Sequence, residues 1–403
     1  MNCMHRNSRN LLRRGSLIAC MVLLIAACDE EVPIGAPPMV AVTIGDTHSC
    51  SISESGAAYC WGNGTVGQLG NGKLERRQYA ARVSSDQSFA SIDAGSLHTC
   101  ALTVQGAAYC WGSNASGQLG TGNQRNATEP QAVDSPERFV SISAGEAHSC
   151  AVTVDGRAFC WGRGTNGELG VGPPVNVETS PTPIAGSLRF SQISAGWRHT
   201  CAVATNGLAY CWGANEMAQL GIGSAGTPEL QPSRVDANFA FREVSAGFNH
   251  TCGVTPDFAG YCWGENRAGE TGNGWSWHAG EVGEIRPARV IDYGVIQFAS
   301  ISAGTSYSCG RWTNGEVYCW GRGDYGQLGI GTLDNQIQPR MVIPEPPKIN
   351  TVLFADVEAS GSTHTCGLGH NGVVFCWGRG DDGQLGSGVP MSTIPTRVAA
   401  SRN

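Results

Sequence analysis

The amino-acid sequence predicts an all-β fold, a seven-bladed β-propeller whose blades are four-stranded antiparallel sheets. The first observation is a repeat: one stretch, clearest at residues 143–172, recurs seven times at a period of 50 or 51 residues, which lengthens to 57 in the last two intervals. The second is the pattern within each copy, where short segments of alternating apolar and polar residues are separated by turns that contain glycine. Such segments indicate strands. A repeat of about 50 residues built from strands is typical of a propeller.

The copy around residue 150 shows how the strands follow one another. Residues 139–143, 148–153 and 157–161 predict three strands, and the last two are joined by a three-residue loop that ends in Gly156. Glycine suits the left-handed position of such a loop. The fourth strand is predicted where Pro-x-x-Val begins, as at 130–133, 232–235 and 395–398, because proline suits the start of an edge strand. The first strand, at 40–44, and the segment 395–398 are expected to meet and close the ring.

The N-terminus predicts export and a lipid anchor. Four arginines precede an apolar run of eleven residues at 17–27, which is shorter than the ~20 residues of a membrane-spanning helix. The run ends in Ile-Ala-Ala-Cys at 25–28, which is similar to a bacterial lipobox. The sequence therefore predicts a lipoprotein signal peptide at 1–27, a lipidated Cys28 with an exposed, proline-rich tether at 28–38, and the propeller at 39–403. The expected location is the bacterial cell envelope, periplasmic or surface-exposed, and plain secretion is the alternative.

Fourteen of the 17 cysteines form seven pairs, ten residues apart, and Trp-Gly follows each second cysteine. In the predicted hairpin, Cys150 lies opposite Cys160, so a cross-strand disulfide is feasible in each blade. Metal binding with His148 and free thiols are the alternatives, but the sixth copy keeps its cysteines and has Tyr307 in place of the histidine. The predicted disulfides join Cys50 with Cys60, Cys100 with Cys110, Cys150 with Cys160, Cys201 with Cys211, Cys252 with Cys262, Cys309 with Cys319 and Cys366 with Cys376.

Six copies carry a histidine at one equivalent place, a recurrence that favours a structural role over a catalytic one. Each histidine is expected to tie its own turn together by a hydrogen bond to the backbone. The six are His48, His98, His148, His199, His250 and His364.

The units resemble repeats of the regulator of chromosome condensation family, which are seven-bladed propellers. The motifs that carry the resemblance are Ala-Gly-x-x-His, the Ala-x-Thr-x-x-Gly-x-x-Tyr hairpin and Trp-Gly-x-Asn-x-x-Gly-Gln-Leu-Gly. Residues 109–120 match the last motif fully, and residues 210–221 match it except at Ala218. The resemblance covers about residues 39–400 and implies the fold. The family includes exchange factors for small GTPases, chromatin binders and bacterial inhibitor proteins, so the resemblance does not select a function. The paired cysteines depart from its eukaryotic members and fit an exported branch.

The sequence favours a binding protein without a cofactor over an enzyme. A net charge of −7 gives no electrostatic basis for binding nucleic acid, and no catalytic motif is recognisable. The repeat fixes most positions by packing, so positions that vary between copies are the candidates for binding, above all the two residues after the turn glycine. The candidates are Trp197, Arg198, Phe248 and Asn249 at these turns, and Trp275, Trp277 and His278 in a loop of the fifth copy.

The predicted partner is a protein, a peptide or a glycan, and the membrane is reached through the lipid anchor. For the loop tryptophans, local packing on the rim is the alternative. A lyase or hydrolase site in the central channel is the alternative function, followed by guanine-nucleotide exchange by family analogy.

Overall fold

A computed structural model describes residues 33–277, 282–291, 297–343 and 352–401. It confirms the seven-bladed propeller of four-stranded antiparallel sheets. None of the described residues lies in a helix, so none belongs to a helix that could span a membrane. The predicted signal peptide at 1–27, Cys28 and His278 lie outside the described residues.

The strands of each blade follow one another in chain order from the axis of the ring to its outer edge. Blade 1 contains β2 (Met39–Ile44), β3 (His48–Ser53), β4 (Ala58–Gly62) and β5 (Arg77–Arg82), and blade 2 contains β6 (Phe89–Ala94), β7 (His98–Thr103), β8 (Ala108–Gly112) and β9 (Ala127–Ala132). Blade 3 contains β10 (Phe139–Ala144), β11 (His148–Thr153), β12 (Ala158–Arg163) and β13 (Val177–Pro183). Blade 4 contains β14 (Phe190–Ala195), β15 (His199–Ala204), β16 (Ala209–Gly213) and β17 (Glu229–Arg234). Blade 5 contains β18 (Glu243–Ala246), β19 (His250–Val254), β20 (Gly260–Gly264) and β21 (Glu284–Arg289). Blade 6 contains β22 (Phe298–Ala303), β23 (Tyr307–Trp312), β24 (Val317–Gly321) and β25 (Gln336–Met341). Blade 7 contains β26 (Phe354–Glu358), β27 (His364–Gly369), β28 (Val374–Arg379) and β29 (Met391–Arg397). Two short strands, β1 (Pro33–Gly35) and β30 (Ala399–Ser401), come from the two ends of the described chain.

The second and third strands of every blade are joined by the disulfide that the sequence predicts. Cys150 lies directly opposite Cys160 in the register of β11 and β12, and their Cα atoms are 4.1 Å apart. Because these thiols are consumed in disulfides, the cysteines are not available as metal ligands. The other six blades have the equivalent bond, which joins Cys50 with Cys60, Cys100 with Cys110, Cys201 with Cys211, Cys252 with Cys262, Cys309 with Cys319 and Cys366 with Cys376.

The core between two blades is built around the tryptophan that follows each second cysteine. The indole of Trp161 is fully buried, and its Nε1 donates to the carbonyl of Gln118 in the preceding blade at 2.9 Å. Gly120 lies against this ring with a φ of +67°, and a Cβ there would be 2.7 Å from the indole nitrogen. Since both the backbone angle and the space exclude a side chain, the Leu-Gly tail of one repeat holds the tryptophan of the next.

The histidines link neighbouring blades, which corrects the expectation that each one bonds the backbone of its own turn. The Nε2 atom of His48 lies 2.9 Å from Thr99 Oγ1 in the next blade. That hydroxyl donates to the Gln68 carbonyl at 3.0 Å, so the imidazole must be the donor to it. The same contact continues around the ring, and His364 of blade 7 meets Ser49 of blade 1 at 2.8 Å. Tyr307 takes the place of the histidine in blade 6 and donates to the His364 carbonyl.

The ring closes through an extra pair of strands on the outer edge of blade 1. Strand β30 pairs in parallel with β5 through Ala400 and Ala80, and β1 pairs antiparallel with β30. The predicted tether at 28–38 is thus paired at residues 33–35. The first strand of blade 1, β2, contacts β26 and β27 of blade 7. Residues 395–398 lie at the outer edge of blade 7, so they do not pair with 40–44 as expected, and the pairing of β1 with β30 was not predicted from the sequence.

The outer strands show why blade 1 receives these strands. In blade 2 the register shifts between Cys110 and Gly112, and Pro130 falls opposite this bulge in β9. Ala80 occupies the same place in blade 1, where the other six blades have proline. A proline has no N–H for a further strand to accept, whereas alanine has one. The prolines lie within the fourth strands rather than at their first residue, because a bulge at an edge tolerates a missing donor.

Candidate binding surface

The turn between the first and second strands of each blade brings its residues to one end of the ring axis. The turns are joined by backbone bonds: the Trp197 amide donates to the Gly247 carbonyl at 3.1 Å, and the Phe248 amide donates to the Gly304 carbonyl at 3.0 Å. A Cβ on Gly196 would lie 2.5 Å from the Gly247 oxygen, so glycine is required at this close approach. The residue after each glycine is therefore held rigidly at the mouth of the axis.

An open, shallow depression with a cavity volume of about 40 Å³ lies at this mouth. Its floor is formed in blades 2 to 5 by the alanine that ends the first strand and the glycine that follows it, and the side chains of the turns surround it. Trp197 and Phe248 line it together, with ring centroids 4.5 Å apart and planes inclined by 44°. This volume is far below the ~300–1,000 Å³ of small-molecule pockets, so the depression has room for the end of one side chain and not for a whole small molecule.

The depression also has an acidic wall, formed by Asp46 of blade 1 and Glu146 of blade 3, which adjoins the aromatic pair on the side of blade 3. Asp46 accepts a hydrogen bond from Ser96 Oγ at 2.5 Å, and burial, reinforced by the nearby charge of Glu146, raises its pKa. Glu146 forms an ion pair with Arg163. The Arg163 guanidinium also binds Glu168 at 2.7 Å and the Trp197 carbonyl at 2.9 Å. Arg163 thus joins the acidic wall in blade 3 to the aromatic wall in blade 4.

The remaining turn candidates lie one residue further along their turns. Arg198 is exposed beside Trp197. Asn249 is partly buried and donates from Nδ2 to Glu265 Oε2 at 3.0 Å. Glu265 in turn lies 3.3 Å from Arg267 Nε. These contacts extend the surface outward along blade 5.

The loop tryptophans lie further along blade 5, where Asn266 fixes the start of their loop. The Asn266 amide nitrogen Nδ2 donates to the Trp275 carbonyl at 3.0 Å, and the Trp277 amide donates to the Asn266 carbonyl at 3.0 Å. The Trp275 side chain is 73% exposed, and Trp277 is partly buried. Trp275 is therefore presented to solvent. The partial burial of Trp277 agrees with the alternative that the loop tryptophans pack locally on the rim of the propeller.

The acidic residues of the depression, Asp46 and Glu146, are not among the binding candidates predicted from the sequence. Asp46 and Glu146 stand directly after a turn glycine, as Trp197 and Phe248 do, and their difference from the small residues of other copies was the available signal. Arg163 follows Trp-Gly in a repeat tail, and nothing in the sequence connects it with Glu146.

Carboxylates also lie along the axis below the depression, where they hold blades together. Asp93 accepts from the Ala144 amide at 2.9 Å and from Thr43 Oγ1 at 3.1 Å, and burial raises its pKa. Glu358 accepts from Ser302 Oγ at 3.1 Å, and burial with neighbouring carboxylates raises its pKa. Within the described ranges no three His, Cys, Asp or Glu side chains are grouped as metal ligands.

The sequence of this chain is similar to a known repeat family and to proteins that contain this repeat. The sequence model of the regulator of chromosome condensation (RCC1) repeat matches residues 55–102, 105–152, 155–203, 206–254, 314–368 and 371–403. Over 213 residues, or 52% of this chain, the ultraviolet-B receptor UVR8 of Arabidopsis thaliana is 31% identical, and the human E3 ubiquitin-protein ligase HERC2 is 30% identical. This part spans 46% of the first relative and 4% of the second, so less than half of either protein is matched.

Solved structures agree on the fold. Prp20p of Saccharomyces cerevisiae superimposes with a TM-score of 0.74 at 22% identity, covering 91% of this chain and 90% of its own. Human WBSCR16 superimposes with a TM-score of 0.72 at 22% identity, and the superposition covers 83% of this chain and 87% of the WBSCR16 chain. The repeat matches extend over more than half of the sequence, and the chain belongs to the regulator of chromosome condensation (RCC1) repeat family.

Proposed function

We propose that the chain is an extracytoplasmic, lipid-anchored scaffold that binds a protein partner on the face formed by the depression and blade 5. The observation that carries the proposal is the aromatic pair of Trp197 and Phe248 in the ring of variable turn positions, with Trp275 exposed further along blade 5. Large aromatics in rigid, partly desolvated positions are the residues that dominate binding energy at interfaces. Relatives support a protein partner over a glycan: Prp20p was studied for its binding to Gsp1p and histones.

Rigidity is what the scaffold contributes to binding. Each blade carries a disulfide, and the turns at the mouth are joined by backbone bonds between blades. Because the binding residues are already ordered, association loses less conformational entropy than it would with mobile loops. The carboxylates along the axis take part in bonds between blades, so they support the scaffold rather than a lyase or hydrolase site.

The anchor is proposed from the lipobox-like sequence that ends at Cys28. The described chain begins at Pro33 on the outer edge of blade 1. In a ring of seven blades, blades 4 and 5 lie opposite blade 1, so a chain anchored at its start presents the aromatic residues on the far side of the ring. An exported protein does not meet cytosolic GTPases, which weighs against the exchange-factor alternative.

Capture of partners from a bacterial envelope extract by the full chain tests the proposal. Trp197→Ala with Phe248→Ala, and separately Trp275→Ala, are expected to weaken capture roughly tenfold or more, as is usual for aromatic hot spots. Val154→Ala is the matched control, because Val154 is 84% exposed on the hairpin turn at the opposite end of its blade. A captured protein that binds all variants equally would place the interface elsewhere.

A further inference from the structure

We propose that the axial depression accepts a cationic side chain, an arginine or a lysine, from the bound partner. This inference rests on the proposed function and specifies its central contact. Its basis is the division of the depression into an aromatic wall and an acidic wall, which the requirements of the repeat do not explain.

Comparison of the seven blades shows that the two walls are departures from a plain pattern. Blades 2, 6 and 7 have a small hydroxyl residue after the turn glycine, Ser96, Thr305 and Ser362. Blades 1 and 3 have carboxylates there, and blades 4 and 5 have the aromatic pair. Because the hydroxyl residues satisfy the same turn, neither the carboxylates nor the aromatics are required by the fold.

The charge balance leaves Asp46 as the acceptor for an incoming cation. Arg163 is matched by two carboxylates, Glu146 and Glu168, and it also donates to the Trp197 carbonyl. Asp46 accepts from the neutral hydroxyl of Ser96, and no Lys, Arg or His of the described chain forms an ion pair with it. The exposed Arg198 adds a positive charge beside the aromatic pair, so the cationic group is expected to lie towards Asp46.

The shape and polarity of the depression fit a long cationic side chain. Its methylene stem can pack on Trp197 and Phe248 while its head donates to the Asp46 carboxylate, and aromatic faces also attract cations. Hydrogen bonds between a cation and a carboxylate are stronger than those between neutral groups. A neutral sugar would lack this charged bond, and an anionic group would be repelled by Asp46.

The experiment uses the full chain and a pair of labelled peptides, hexa-arginine and hexa-citrulline, with binding measured by fluorescence anisotropy. Citrulline keeps the shape of arginine but has no charge. Hexa-arginine is expected to bind at least roughly tenfold more tightly than hexa-citrulline, and Asp46→Ser to remove most of this difference. Serine stands at this turn position in blades 2 and 7, so the variant is compatible with the fold, and a thermal melt checks this.

A charge-matched control separates a specific site from the attraction of any polycation to an acidic protein. Glu54 is exposed on the hairpin turn at the other end of blade 1, and Glu54→Gln is expected to leave hexa-arginine binding unchanged. Equal losses for Asp46→Ser and Glu54→Gln would overturn the inference, as would cello-hexaose binding that Trp197→Ala abolishes and Asp46→Ser does not affect.

The outcomes also separate this inference from the proposed function. If the Trp197 and Phe248 variants lose the captured envelope partner while Asp46→Ser retains it with full affinity, the binding face stands and the cationic contact is wrong. If none of these variants affects the partner, the proposed function itself fails.

Discussion

Glu270 in blade 5 is a buried carboxyl at a position where five blades have glutamine. In each blade this side chain accepts the backbone N–H two residues earlier, as Gln118 does from Ser116 at 2.9 Å and Glu270 from Ala268 at 2.8 Å. Glu168 is the other exception, and its second oxygen binds Arg163 at 2.7 Å. In blade 5 the residue equivalent to Arg163 is Glu265. The neighbour of Glu270 is therefore another carboxylate, whereas the neighbour of Glu168 is a guanidinium.

The consequence is a stability that depends on pH. Burial, with a further contribution from the charge of Glu265, raises the pKa of Glu270 from 4.5 to about 7. The folded protein therefore binds this proton more tightly than the unfolded chain, so the contribution to stability is complete below pH 4.5 and is lost as the pH rises through 7. At 1.36 kcal/mol for each pKa unit, the loss amounts to about 3 kcal/mol at pH 8.

Glu270→Gln removes this titration and restores the residue of the other blades. The variant is expected to match the parent near pH 4.5 and to be more stable by about 2–3 kcal/mol at pH 8. Urea denaturation of both proteins at a series of pH values measures the difference, in which contributions from all other titrating groups cancel. Glu168→Gln is the control: it leaves Arg163 without one of its partners and is expected to cost about 3 kcal/mol. The reasoning is refuted if Glu270→Gln follows the pH dependence of the parent, or if both variants are equally destabilised at pH 8.

Three further predictions concern the ring and the anchor. Ala80→Pro gives blade 1 the residue of the other six blades, and amide exchange at residues 399–401 is expected to accelerate at least roughly tenfold while the rest of the ring keeps its protection; unchanged exchange would mean that the Ala80 amide does not hold β30. Cys28→Ala is expected to move the protein from the membrane fraction to the soluble fraction, and retention in the membrane fraction would exclude the lipid as its anchor. Acidification is expected to destabilise the ring between pH 6.5 and about 3, because burial lowers the pKa of His48, His98, His199, His250 and His364 to about 3, and the unfolded chain therefore binds protons that the folded one does not. His364→Tyr copies the residue of blade 6, and a midpoint of acid unfolding that does not move to lower pH in this variant would contradict this account.

The repeat alone was enough to predict the propeller, because neighbouring residues specify each strand and turn and the same pattern recurs seven times. Alternation marks the strands, glycine marks the turns, and the hairpin loop sets Cys150 opposite Cys160. The binding candidates followed from the same comparison, since a residue such as Trp197 stands out only against its counterparts in other copies. Ala80 could have been found in this way too, as the one departure from proline in the outer strands.

The contacts between blades were beyond such reasoning, because each joins residues that are tens of positions apart in the chain. His48 meets Thr99, and His364 meets Ser49 across the closure of the ring, whereas the sequence offered only the backbone of the same turn as a partner. Likewise, Asp46 and Trp197 are 151 residues apart, and only the circular arrangement of the turns around one axis places them in one depression. Periodicity along a chain specifies which residues share a structural position, and ring closure specifies which of those positions face one another.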